Sequence, residues 1–143
     1  MRPTPETPRL PDWPERLAAF LEERLGLPFA WGERDCVLTA ADAVLAITGR
    51  DPVPDLRGTY ATEAEAEALL QQHGGLEAAA VAAMAAFGAP ECPTAYAQRG
   101  DVALVIQGNM PTMGVVTGSD VAAPGPDGLA YVPLAAAVRV WAV

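Results

Sequence analysis

Cys36 is the residue of this chain best placed, by type and position, to do covalent chemistry. It follows Asp35, a helix-capping residue type, and opens the apolar run CVLTAADAVLAITG, so its thiol falls in the first turn of a predicted helix. Unpaired N–H groups and the helix dipole favour a thiolate there, and the thiolate is the nucleophilic form. The charge of Asp35 opposes ionisation of its neighbour, while its side chain fixes where the helix starts. Trp31 and Gly32 offer a wall and a flexible approach beside the sulfur. The competing reading of Cys36 is a small buried hydrophobe, the common state of a free cysteine. A hydrolytic thiol also needs a base, and the chain has one histidine, His73. It stands in QQHGG at the end of a different predicted helix, where a polar helix end is the simpler account.

The elements that must position these residues come in two blocks. Trp13, Leu17, Phe20, Leu21 and Leu25 recur at helical spacing behind a candidate N-cap, Asp12, with Pro14 in the first turn and Gly26 as the stop. The second helix starts near Asp35, shows Val37, Ala40, Ala41, Val44 and Ile47 on one face, and stops at Gly49. Asp42 lies on another side and reads as an inter-element hydrogen-bonding carboxylate. The loop RDPVPDLRGTY follows, near the Cys36 side, with Arg57 and Tyr60 as candidate contacts. Thr62 and Glu65 form a capping-box pattern for a third helix. A fourth, Ala-rich helix from Leu76 to Phe87 is short-sided enough to pack closely on its neighbours. From Asp101 onward the runs DVALVI, TMGVVTG, DVAAP, GLAYVP and VRVWAV are separated by turn residues and predict an antiparallel sheet. Helices first and strands afterwards define an α+β domain.

Composition narrows the function classes. The chain has 143 residues, 51% apolar and 19% charged, which suits one domain with a real core. Its start, MRPTPETPRLP, reads as a Pro-rich arm over residues 1–11 that frays or lies along a partner, with the domain over 12–143. The net charge is −9 and every basic residue is arginine, which disfavours binding to phosphate backbones. Two cysteines, Cys36 and Cys92, are too few to hold zinc or an iron–sulfur cluster alone, although one bridge between them is open. No metal and no cofactor is expected. The Ala-rich stretch from Ala78 to Pro90 is too short to cross a bilayer, and no signal peptide is evident, so synthesis in a bacterial cytoplasm without membrane insertion is expected. Trp13, Trp31 and Trp141 are expected core anchors, and RGD at Arg99 to Asp101 a turn before a buried strand.

FAWGERDCVLTAADAVLAITG resembles the nucleophile segment of the NlpC-type, papain-like cysteine peptidases, in which an aromatic-x-x-Gly stretch leads into Asp-Cys at a helix start. RGDVALV, TMGVVTG and DVAAPGPDG are similar, in order and spacing, to the strands that follow in that family. The resemblance implies a papain-like fold from Phe29 to the C-terminus, with a helical insert at about residues 50–98. It implies Cys36 as nucleophile, the base histidine at the position of Thr112, and the third polar residue at about Ala122. Neither threonine nor alanine can do those jobs, and general acid–base catalysis is worth about 10²–10⁴ in rate.

The balance is therefore against an enzyme. The pattern is similar to a degenerate branch encoded among tail genes of bacteriophages and gene transfer agents. That similarity implies a structural tail-tip or hub-associated (baseplate) component of a virion or phage-like particle, contacting other tail proteins and near peptidoglycan, with Cys36 vestigial. The arm and the apolar rim around Trp31, with Arg57 and Tyr60, are the expected contact residues. The alternatives are an active NlpC-type hydrolase of peptidoglycan peptides, completed by His73 or by a histidine of another chain, and a protein that binds a small amide or lipid in the groove.

Overall fold

A computed structural model describes all residues from Met1 to Val143. Four helices precede a five-stranded antiparallel sheet, so the expected α+β order holds. The helices are α1 (Trp13–Arg24), α2 (Cys36–Thr48), α3 (Glu63–Gln72) and α4 (Leu76–Phe87). The strands are β1 (Val102–Gln107), β2 (Met110–Val116), β3 (Asp120–Gly125), β4 (Gly128–Pro133) and β5 (Ala137–Trp141), in the spatial order β4-β3-β2-β1-β5. The first four strands form a meander, and β5 returns to pair with the open side of β1.

Local sequence explains most element ends. The Asp35 side chain accepts from Leu38 N at 2.9 Å and starts α2, which Gly49 ends in the left-handed region. Thr62 accepts from Glu65 N, while the Glu65 carboxylate reaches back to Ala61 N, one residue before the expected partner. Asp12 occupies the cap position of α1 but makes no capping bond; its carboxylate takes Arg16 instead, at 2.8 Å.

The sheet is apolar on both faces. On one, Val102, Leu104, Met113, Val115, Ala122 and Trp141 pack with Leu17 of α1 and with Ala40, Val44 and Ile47 of α2. On the other, Ala103, Val105, Val116, Val121, Val132 and Val140 pack with Cys92. Burial from both sides is why these strands read as continuous apolar runs rather than alternating ones. α2 is also buried beyond its expected face, because Leu38 packs with Tyr60 and Ala66.

Three expectations change. The arm over residues 1–11 lies on its own domain: Glu6 N donates to Gly88 O, Leu10 N to Ile47 O, and Thr7 is buried. Asp101 does more than shape a turn. It is fully buried and takes both Arg2 nitrogens (2.6 and 2.7 Å), Arg9 (3.1 Å), Gln98 N (2.7 Å) and Val143 N (3.1 Å). Two arginines of the arm supply the charge that makes this burial tolerable. Of the tryptophans, Trp141 is a core anchor and Trp13 half-buried, but Trp31 is 38% exposed, edge-on to Phe29.

Candidate functional site

Cys36 sits in the first turn of α2 and is partly buried. What surrounds it is set by Asp35. One carboxylate oxygen caps Leu38 N; the other accepts from Gly32 N at 3.0 Å and from the Tyr60 hydroxyl. Gly32 is needed for this approach. Its φ is +77°, and a Cβ there would stand 2.3 Å from Tyr60 O. The W-G-x-x-D-C spacing thus has a structural cause: it folds the Gly32 amide back onto the capping carboxylate. The DLRGTY loop reaches the site through Tyr60, which is buried and touches Asp35, rather than through Arg57.

Thr112 and the Met113 backbone, both on β2, act on the thiol, and both favour the thiolate. Burial outweighs them, and the nearby Asp35 charge adds to it, so the Cys36 thiol is pushed above the ordinary cysteine range. His73 is not among the groups that act on the sulfur. Tyr60 is likewise pushed well above the ordinary phenol range, chiefly by burial and then by its bond to Asp35. A neutral thiol and a neutral phenol around a buried carboxylate form an arrangement that holds a helix start. No imidazole is part of it.

Ala122 lies fully buried on β3, in register with Val115 of β2. Gly114 lets β2 and β3 close together at that point: a Cβ on it would meet Ala122 O and Val121 Cγ1, both at 2.5 Å. Arg57 is held by Asp51 at 2.6 Å and by Asp42 at 2.7 Å. Asp42 also takes Arg24 at 2.5 Å, the inter-element role expected of it. Trp31 stands at the exposed rim. Cys36 and Cys92 are both free thiols, packed against opposite faces of the sheet. No group of three or more His, Cys, Asp or Glu side chains is arranged to hold a metal ion.

Sequence reasoning missed a second feature. Between α2, the 52–59 loop, α3 and α4 lies a cavity of about 480 Å³ with Val102 and Met113 at its floor. The α4 alanines Ala79, Ala80, Ala82 and Ala83 line it, so this helix leaves space where close packing was expected. His73 is on its lining too. Small residues on a helix opposite Pro52, Val53, Pro54 and Leu56 were the available signal.

Together the fold and the site define an α+β domain with a cysteine at a capped helix start and no imidazole beside it. Residues 8–143 match the family described as a domain of unknown function, DUF6950, and the chain belongs to that family. No curated protein and no solved structure matches it significantly. No helix is long and apolar enough to cross a membrane.

Proposed function

We propose that this chain is a catalytically silent domain on the papain-like, NlpC-type plan, serving as a structural tail-tip or hub-associated component of a bacteriophage or phage-like particle. The observation that carries the silent reading is the neighbourhood of the sulfur: Thr112, and no imidazole, acts on Cys36 from the position where the resemblance puts the base histidine. A threonine hydroxyl does not accept a proton at neutral pH, so neither the attacking thiolate nor the leaving amine is served. The particle role rests on the resemblance of the sequence pattern to tail-encoded proteins. With the arm engaged on its own domain, the contact residue left in this reading is Trp31, 38% exposed and edge-on to Phe29.

The alternative, an NlpC-type hydrolase acting on peptidoglycan peptides, draws on one observation: Cys36 is at a helix N-terminus, where the Met113 backbone also favours its thiolate. It needs a histidine from another chain. Two measurements test the proposal. Purified cell walls incubated with the wild-type chain and with Cys36→Ala should release equal, background amounts of peptide; release by the wild type alone overturns silence. Mass spectrometry of purified particles should find the chain, and particles lacking it overturn the tail assignment.

A further inference from the structure

The cavity between α2, α3 and α4 has a composition that selects a ligand class, independently of what Cys36 does. Sixteen of its 21 lining residues are hydrophobic, and its floor reaches Val102 and Met113 of the sheet. Its volume of about 480 Å³ lies within the usual range for small-molecule sites. A space that passes between helices to reach the sheet suits a slender aliphatic body.

The polar groups on the lining all accept hydrogen bonds. Asp55 is an exposed carboxylate, which is acceptor-only. The Thr59 hydroxyl already donates to Leu56 O at 2.6 Å, which leaves its oxygen lone pairs. His73 Nδ1 lies 2.9 Å from Leu69 O; a carbonyl only accepts, so Nδ1 carries a proton, and in the uncharged tautomer this defines, Nε2 is the acceptor. The lining includes no arginine, and the whole chain carries a net charge of −9. An anionic head would meet Asp55 and the negative field of the chain; a cationic donor would be drawn in and satisfied.

We propose that this cavity binds an amphiphile with an aliphatic body and a cationic, hydrogen-bond-donating head, of the alkylammonium class. Titration calorimetry of the full chain at low ionic strength with n-octylammonium, n-octanol and n-octanoate, each below its micelle concentration, tests it. The ammonium should bind tightest, about fivefold ahead of the alcohol, with the carboxylate weakest. Asp55→Asn, an exposed position that leaves the fold intact, should bring the ammonium down to the alcohol's affinity and leave the alcohol unchanged. Ala83→Phe should abolish binding of all three by filling the cavity. No measurable binding of any of them, equal affinity for all three, or ammonium binding indifferent to Asp55→Asn overturns the proposal. Binding that survives Ala83→Phe in a folded variant places the ligand elsewhere and overturns it as well.

Discussion

Asp35 and Asp101 are both buried carboxylates, 2% and 0% exposed, yet they are compensated in different ways. Asp101 is held by two guanidinium groups and two backbone amides, and it ties the N-terminal arm and Val143 to the loop before β1. Asp35 receives only neutral donors, the amides of Gly32 and Leu38 and the Tyr60 hydroxyl, and it ties the loop after α2 to the start of that helix. A charge pair is intolerant of losing one partner, because the survivor is left uncompensated in a poor solvent. A carboxylate held by neutral donors loses one hydrogen bond at a time. The difference separates a latch that closes the chain on itself from a scaffold that shapes the surroundings of Cys36.

The sharpest way to break that comparison is Asp101→Ala. It leaves Arg2 and Arg9, which are 19% and 12% exposed, without their carboxylate and should cost about 3–5 kcal/mol in urea unfolding. Because the carboxylate is buried, the cost should persist at high salt, where surface pairs fade. A loss no larger than that of a surface ion pair would mean the arm is not a latch.

Next in size is Tyr60→Phe, which removes one donor from Asp35 and leaves the ring in place. A hydrogen bond to a charged group is worth about 1.5–3 kcal/mol, and the loss should fall in that range. Amide hydrogen exchange should quicken at Leu38 and Gly32 with it, since both donate to the same carboxylate. Exchange that changes elsewhere but not at these two amides would separate Tyr60 from the Asp35 network.

What sequence could and could not reveal follows the same division. The starts of α2 and α3 were legible because Asp35 and Thr62 act within a few residues of themselves, and the stops at Gly49 and Gly88 are equally local. The five strands were legible because both faces of the sheet are apolar. The Asp101 latch was not, since its charge partner Arg2 lies 99 positions away and nothing local distinguishes a buried aspartate from one in a turn. Asp12 shows a cap position whose side chain was taken by Arg16. The cavity escaped because an alanine-rich helix is compatible with close packing or with empty space, and tertiary placement decides which.

The smallest effect concerns Cys36 itself. In the unfolded chain a cysteine ionises near the ordinary value of 9.0, while in the folded chain burial holds the thiol neutral to higher pH. Above that pH the folded state keeps a proton that the unfolded state has released, so stability falls as pH rises, by at most about 1.4 kcal/mol per pH unit for one group. Cys92 is raised in the same direction and chiefly by burial, and Tyr60 adds its own share above 10.0. Cys36→Ala should therefore flatten, but not abolish, the decline in urea midpoint just above pH 9.0. Below that range its pH profile should run parallel to that of the wild type. If Thr112→His is then introduced in the wild-type background, the imidazole should raise the alkylation rate of Cys36 at neutral pH by about tenfold or more, since it supplies the missing base. A wild-type thiol that already alkylates at that rate, with no alkaline slope to remove, would make the Asp35 region a reactive site and erase its contrast with the Asp101 latch.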